Sequence, residues 1–260
     1  MTPAFLDAVV VTGAGRGLGR AVALMAGRLG IPVLCIGRSN NIEETRAEIA
    51  MHGGHAEALM VDLTEVNSVL GQVGAWIASK PFRRLAVVLA AGTLGAPGGL
   101  LDGDLDDWSR TFQANVIGNL AVVKALLPAM RAAGFGRVVT VAGGGAAYAY
   151  PVFSGYALSK TALVRATENL DAELRGQGDI LTVCLAPGAM ETRLLDAVRA
   201  TGAEVRTVVP IAETVEFIRE FIHAEACGFS GRFVHVRDNW RAWLGKKSAP
   251  DGLWLLRRNE

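Results

Sequence analysis

Short apolar runs rich in β-branched residues alternate along the chain with longer segments of mixed apolar and polar residues. The runs are AVVVTG, PVLCIG, AEALMVD, RLAVVLAAG, GRVVTVAG, DILTVCLAPG and GRFVHVR. Because each run is almost continuously apolar rather than alternating, it is typical of a strand buried on both faces. The segments between the runs are long enough for crossover helices. The pattern therefore predicts an α/β fold with a doubly wound parallel sheet and helices on both faces.

The chain has 260 residues, which fits one large domain of this class. We find no repeat, low-complexity tract or linker that would divide it. We expect the main domain over residues 1–238, with a segment at about 189–210 that covers the substrate. Residues 239–260 form a tail with three tryptophans among basic residues. We expect the tail to dock on its own core or on a neighbouring subunit, with a substrate-covering role as the alternative.

Composition excludes several classes of function. Hydrophobic residues make up 51% of the chain, but Lys124 and Pro128 interrupt the apolar segment AVVKALLPAM, so a buried sheet explains the surplus better than a membrane span. The formal net charge of +1 gives no basic excess for nucleic acid. The N-terminal segment lacks the basic start of a signal peptide, so we expect a cytoplasmic protein.

The cysteines and histidines do not indicate a disulfide or a metal site. Cys35, Cys184 and Cys227 are far apart in sequence, and core packing is their expected role. His52 and His55 are separated by two glycines, which favours a surface turn over a pair of metal ligands.

A glycine-rich segment, VVVTGAGRGLGRAVA, follows the first predicted strand and opens a helix. Gly13, Gly17 and Gly19 would let the backbone turn tightly and approach a pyrophosphate at the helix N-terminus. A dinucleotide is therefore the expected ligand.

A second segment, AGGGAAYAYPVFSGYALSK, ends in Tyr156 and Lys160 at helical spacing, which places both side chains on one helix face. A phenol with a pKa near ~10 is a poor acid or base at neutral pH. A nearby ammonium in a partly dry cleft could lower that pKa by ~3 units, which corresponds to roughly 4 kcal/mol. The pair is therefore suited to general acid/base chemistry.

These two segments, together with MVDLTE, LAAGTLG, FQANVIG and LAPGAMET in that order, resemble the short-chain dehydrogenase/reductase family over roughly residues 7–235. The resemblance implies a Rossmann fold that binds a nicotinamide dinucleotide and transfers hydride between a secondary alcohol and a ketone. It implies that Tyr156 is the acid/base, that Lys160 tunes it and orients the ribose, and that Asn115 holds a water in a proton relay. The cofactor-binding residues that it implies are Gly13, Arg16, Gly17, Leu18, Gly19, Arg38, Asp62, Leu63, Ala91, Gly92, Tyr156, Lys160, Pro187, Gly188 and Thr192.

The end of the second strand favours NADP over NAD. NAD-binding folds place an acidic residue there, whereas this chain has Gly37 followed by Arg38. Arg16 lies in the glycine loop, so two guanidinium groups could bind a 2′-phosphate. The alternative is that Arg38 only faces solvent.

Two positions depart from the family pattern. Ala90 stands in place of an asparagine, and counting back from Tyr156 places Gly143 where the family has a catalytic serine. Losing one such donor costs roughly 3 to 4 kcal/mol, which would slow hydride transfer without abolishing it. Nearby hydroxyls that could substitute are Thr140, Tyr148, Tyr150 and Ser154, although each has a plain alternative role, such as a helix N-cap for Ser154.

The sequence therefore predicts an NADP-dependent dehydrogenase or reductase acting on a small alcohol or carbonyl compound. The alternatives are a nucleotide-binding protein with little redox turnover, or a related epimerase or dehydratase. Apolar residues extend around much of the two long helices near Asn115 and Tyr156, so we also expect a homodimer or homotetramer.

Overall fold

A seven-stranded, all-parallel sheet forms the centre of the molecule in the computed structural model, which describes residues 5–203, 205 and 208–256. The strand order is β3-β2-β1-β4-β5-β6-β7, and every neighbouring pair is parallel. The doubly wound parallel sheet predicted from the apolar runs is confirmed. The strands are β1 Ala8–Thr12, β2 Val33–Gly37, β3 Ala56–Met60, β4 Leu85–Leu89, β5 Phe135–Val141, β6 Asp179–Ala186 and β7 Arg232–His235.

Within the described residues, eight α-helices connect or flank these strands. A π-helical segment, Gln113–Gly118, joins α4 to α5 without a break, and Gly144–Ala146 and Trp240–Trp243 form short 3₁₀ turns. The helices are α1 Gly17–Arg28, α2 Asn41–Met51, α3 Val66–Ala78, α4 Leu105–Phe112, α5 Asn119–Ala133, α6 Ser154–Leu174, α7 Arg193–Ala200 and α8 Ile211–Ile222.

The two faces of the sheet pack into separate apolar layers. Along β1, Val9 and Val11 belong to the layer that contains α1 and α8, whereas Ala8 and Val10 belong to the layer that contains α3 and α5. All five residues of β1 are buried. Burial on both faces explains why the strands are apolar throughout instead of alternating.

The topology places a binding crevice at the carboxyl ends of β1 and β4. The chain runs outward from β1 to β3, and then returns to add β4 on the other side of β1. At such a switch point the connecting loops separate, and ligands bind in the crevice between them.

The continuous helical stretch Leu105–Ala133 is long and apolar enough to cross a membrane by length and composition. In the fold, α5 packs in the α3 layer through buried residues such as Val122 and Leu126. This packing accounts for the apolar residues on that face of α5.

The tail packs on its own domain. Trp240 is buried in the same layer as α8, and the ring of Trp254 contacts Phe229 edge-on. The backbone carbonyl of Trp254 accepts a hydrogen bond from the backbone of Phe233 in β7. Residues 257–260 of the tail, and 204, 206 and 207 of the predicted substrate-covering segment, lie outside the described residues.

Candidate active site

A cavity of about 2160 Å³ opens at the carboxyl ends of the central strands. All the residues that the sequence predicts to contact the cofactor line this cavity. Asn115 lies behind its wall and is completely buried. The geometry therefore brings the predicted site residues together.

The glycine loop is shaped by two close backbone approaches. Gly13 has φ +67°, and a Cβ there would lie 2.8 Å from the Cα of Ala91. A Cβ on Gly19 would lie 2.3 Å from the carbonyl oxygen of Gly13. Only glycine fits at these two positions; Gly13 lies in the loop, and Gly19 lies in the first turn of α1, which begins at Gly17. The loop and helix N-terminus have the form of a pyrophosphate cradle.

Thr192, at the start of α7, packs against the glycine loop at Gly17. A Cβ on Gly17 would lie 3.4 Å from the Cγ2 of Thr192, so the start of α7 sits over the glycine loop. The Thr192 hydroxyl donates to the carbonyl of Met190 and caps α7 through the amide of Leu195.

The end of β2 cannot easily accept an acidic side chain. A Cβ on Gly37 would lie 2.7 Å from the Cγ2 of Ile42, a branch atom with little freedom to move. The next side chain, Arg38, is 72% exposed and lines the cavity, as do Ser39 and Asn41. The residues predicted from the sequence do not include Ser39, the residue after Arg38, or Asn41, three residues after Arg38, although their closeness to Arg38 in sequence points to both.

Asp62 is held in place at the edge of the same region. Its Oδ1 accepts hydrogen bonds from the amide and the hydroxyl of Thr64, both at 2.9 Å. The bond from the Thr64 amide is the main cause that lowers the pKa of Asp62, and Arg38, at 4.0 Å, adds to the effect. The carboxylate is therefore ionised and oriented.

Tyr156 and Lys160 lie on one face of α6, as their spacing predicts. The Lys160 Nζ is 5.5 Å from the centre of the Tyr156 ring and donates to the carbonyl of Val141 at 2.8 Å. Gly92 makes room for this ammonium, because a Cβ there would lie 3.3 Å from the Nζ.

Burial shifts both groups away from their charged forms. It lowers the pKa of Lys160 to about 8, and it raises the pKa of the Tyr156 phenol, with Tyr150 and Tyr148 adding to the rise. In the protein alone, the phenol is therefore held neutral, which differs from the expectation that Lys160 makes it more acidic.

Asn115 is carried into the site by the π-helical segment. Its Nδ2 donates to the carbonyl of Thr93 and to the hydroxyl of Ser159, both at 2.9 Å, and its Oδ1 accepts from the amide of Thr93 at 2.8 Å. Both amide protons are used within the protein. A relay water would therefore have to bind a remaining oxygen lone pair of Asn115 rather than its NH₂ group.

Gly143 is the position that counting back from Tyr156 assigns to the family's catalytic serine. A Cβ on Gly143 would be 3.3 Å from the hydroxyl of Tyr156. Thr140 is not a substitute, because its hydroxyl is buried and lies 2.7 Å from the Thr167 hydroxyl. Ser154 donates to the carbonyl of Pro151, and the N-cap of α6 is Phe153, so the N-cap role considered for Ser154 is wrong.

Of the four candidate hydroxyl residues, Tyr148 and Tyr150 line the cavity. Tyr150 also belongs, with Tyr156, to the residues packed against a small apolar cluster of Leu94, Phe153 and Val198. The described part of this end of the cavity is therefore mainly apolar and aromatic.

Comparison with known proteins agrees with this geometry. Residues 7–203 match the family model for short chain dehydrogenases. A short chain dehydrogenase of Pseudocercospora fijiensis is 35% identical over 191 residues, which are 71% of this chain and 60% of that protein. Human 17-beta-hydroxysteroid dehydrogenase 13 is 33% identical over 222 residues, which are 83% of this chain and 70% of the relative.

A solved structure extends the likeness to the whole fold. A protein from Beutenbergia cavernae, described as a candidate NAD(P)-dependent gluconate 5-dehydrogenase with NADP bound at low occupancy, superposes with a TM-score of 0.81. It is 28% identical, and the match covers 92% of this chain and 99% of that one. With the parallel sheet, the glycine cradle and the Tyr156–Lys160 pair in place, the chain belongs to the short-chain dehydrogenase/reductase family.

Proposed function

We propose that this protein is an NADP-dependent oxidoreductase that interconverts a secondary alcohol and a ketone. One observation carries the proposal: Tyr156 and Lys160 lie next to each other in the lining of a cavity that the glycine loop also lines. The oxidoreductase family supports the general class of reaction. The cofactor form and the alcohol/ketone chemistry are our inference.

The residues present fit a nicotinamide dinucleotide. A Cβ at Gly13 or Gly19 would clash with the backbone of Ala91 or of Gly13, so only glycine allows the tight form of this loop, and α1 presents its N-terminal amides there. Arg38 and Arg16 line the adenosine end, where guanidinium groups suit a 2′-phosphate. When bound, the nicotinamide supplies or accepts the hydride.

In ketone reduction, Tyr156 donates its phenolic proton to the carbonyl oxygen as charge develops there. Burial keeps the phenol protonated in the protein alone, which is the form needed for donation. Lys160 stabilises the phenolate that remains, and its ammonium would hold the ribose of the cofactor when the cofactor is bound. Asn115 holds Thr93 and Ser159 in place around this pair.

The substrate end of the cavity favours an apolar group next to the carbonyl. Leu94, Phe153 and Val198 pack together there, with Tyr150 against them. Gly143 lines the cavity beside Tyr156 and adds no polar side chain there. A ketone with an apolar ring or chain is therefore preferred over a small polyol.

Absorbance at 340 nm and titration calorimetry, run side by side, test the proposal. NADPH oxidation is measured against a panel of apolar and polar ketones, and nucleotide affinity is measured on the same samples. We expect turnover on at least one apolar ketone. Nucleotide binding without turnover on the whole panel would instead support a second function.

That second function is a nucleotide-binding protein with little redox activity. The observation that favours it is Gly143, which leaves no side chain at the position 3.3 Å from the Tyr156 hydroxyl. A protein that only binds nucleotide needs the cradle but not the serine.

We also propose that the protein is a cytoplasmic homodimer or homotetramer. Large apolar side chains on the continuous α4–α5 helical stretch and on α6 are exposed in a single chain, including Leu105, Phe112, Ile117 and Leu158. Light scattering at micromolar concentration tests this, and a monomer would contradict it.

A further inference from the structure

A buried amide side chain that the proposed chemistry does not use lies at the start of α5. Asn119 is completely buried. Its Oδ1 accepts from the hydroxyl of Thr12 at 2.7 Å. Its Nδ2 donates to the carbonyl oxygens of Ala91, Ala114 and Asn115, at 3.1, 3.3 and 3.0 Å.

The surrounding groups fix the orientation of this amide. Three carbonyl oxygens, which can only accept, face one side of it, so the NH₂ group must point there. The Thr12 hydroxyl accepts from the amide of Ala91 at 3.1 Å, which leaves its proton for the Oδ1 of Asn119. Every polar atom of the side chain is therefore satisfied, and a flipped amide would place oxygen against oxygen.

A chain of hydrogen bonds connects Asn119 to Tyr156. Asn119 holds the carbonyl of Asn115, the Asn115 side chain donates to the hydroxyl of Ser159, and that hydroxyl donates to the carbonyl of Tyr156 at 2.7 Å. Thr12, Asn115, Asn119 and Ser159 are all fully buried. A continuous buried network thus runs from the end of β1 to the helix turn that carries Tyr156.

The same network holds the loop after β4 from one side of the sheet. Ala91 packs in the α3 and α5 layer, next to Asn119, whereas Ala90 packs in the opposite layer. At Ala90 this chain lacks the asparagine expected in the family. Asn119 instead holds the loop after β4 from the α3 and α5 side of the sheet, by donating a hydrogen bond to the carbonyl of Ala91.

We propose that Asn119 is a positioning residue that fixes the loop 90–93 and the π-helical segment of Asn115 relative to Tyr156. Asn119 does not line the cavity and acts through Thr12, Ala91 and Asn115. The inference rests on the proposed function only in assigning catalytic roles to Asn115 and Tyr156.

Hydrogen–deuterium exchange on the full-length protein tests the network without requiring activity. Asn119→Leu removes the amide at similar volume, and Leu126→Ala is the matched control, because Leu126 is fully buried on the same helix but apolar. Each protein is measured at the same interval below its own melting temperature. We expect exchange in peptides that cover residues 90–95 to be about tenfold faster in Asn119→Leu, and within about twofold of wild type in Leu126→Ala.

Kinetics add a second readout. On a ketone that the wild type reduces, we expect Asn119→Leu to lower kcat about tenfold with little change in KM, and Leu126→Ala to leave kcat within about twofold. Equal exchange in the two variants, or an unchanged kcat in Asn119→Leu, would overturn the proposal.

If Asn119→Leu does not fold, Thr12→Val replaces it, because it removes the hydroxyl between Asn119 and the amide of Ala91. The same outcomes then decide. If the wild type reduces no ketone, the proposed function fails, and the exchange comparison alone still supports or overturns the role of Asn119.

Discussion

The cofactor end and the catalytic end of the cavity differ in what they share with the short-chain dehydrogenase/reductase family. At the cofactor end, the backbone geometry of the family is preserved. Gly13 and Gly19 must be glycine, because a Cβ at either position would clash with nearby backbone atoms. At the catalytic end, Tyr156 and Lys160 remain, but Gly143 provides no side chain beside the phenol. Nucleotide binding depends mainly on backbone shape, whereas the chemical step depends on individual side-chain groups. The two properties can therefore be lost independently, and each can be tested alone.

The largest expected effect is on chemistry without binding. Tyr156→Phe removes the proton donor and keeps the ring, so we expect kcat to fall by about 10³-fold or more. NADP affinity should stay within about twofold, because the phenol acts mainly in the transition state. Steady-state kinetics and calorimetry measure the two values. Full activity in this variant would show that the tyrosine-centred mechanism is wrong.

The converse variant breaks binding at the cradle. In Gly19→Ala the new methyl would lie 2.3 Å from the carbonyl oxygen of Gly13, so the loop must move. We expect the Kd for NADP to rise about 100-fold, or about 3 kcal/mol. Gly74→Ala on α3 is the control, because a Cβ there meets nothing within 4 Å. Retained affinity in Gly19→Ala would mean that the cradle does not bind the pyrophosphate.

The pH dependence of NADP affinity tests Lys160, which lies beside Tyr156 and is expected to bind the cofactor ribose. Its pKa is lowered to about 8 by burial, so the ammonium is lost as pH rises through that value. If the charged form holds the ribose, NADP affinity should be constant between pH 7 and about 8 and then weaken about tenfold per pH unit. Lys160→Met should bind more weakly and show a flat profile over the same range. A flat profile in the wild type would contradict this role.

Cofactor preference tests the outer edge of the cofactor end. We expect NADP to bind at least tenfold more tightly than NAD, roughly 1.4 kcal/mol or more, and Arg38→Ala to remove most of the difference. Arg46→Ala, on the neighbouring α2, removes a guanidinium that pairs with Glu43, and it should leave the preference unchanged. Equal Kd values for the two nucleotides in the wild type would refute the preference for NADP.

Much of the fold could be predicted because each strand is buried on both faces and therefore apolar throughout. The glycine loop and the Tyr156–Lys160 spacing could be located because they depend on short-range geometry. The bonds of Asn119 could not, since they join β1, the loop after β4 and α5, which are far apart in sequence. The only local signal was an asparagine four residues after Asn115, on the same helix face.

Other features depended on packing that a sequence does not display. The absence of an acidic residue at Gly37 could be read directly, but its contact with Ile42 could not. The hydroxyl of Thr140 looked available in sequence, yet the fold directs it to Thr167. The pKa of Tyr156 also depended on burial, which raises it in the protein alone.

The missing serine gives the last test, because the position can be filled in two ways. Gly143→Ala and Gly143→Ser place the same Cβ 3.3 Å from the Tyr156 hydroxyl, but only the serine adds a donor. If the site lacks a donor, Gly143→Ser should raise kcat/KM on a small ketone by about tenfold, and Gly143→Ala should not. If Tyr148, Tyr150 or the substrate already supplies the donor, both variants should slow the reaction by similar factors, because both only crowd the phenol. Tyr150→Phe then tests Tyr150 as the source, since it should reduce kcat about tenfold if Tyr150 is the donor and leave it nearly unchanged if Tyr148 or the substrate is. A gain in Gly143→Ala equal to that in Gly143→Ser would show that the hydroxyl is irrelevant at this position.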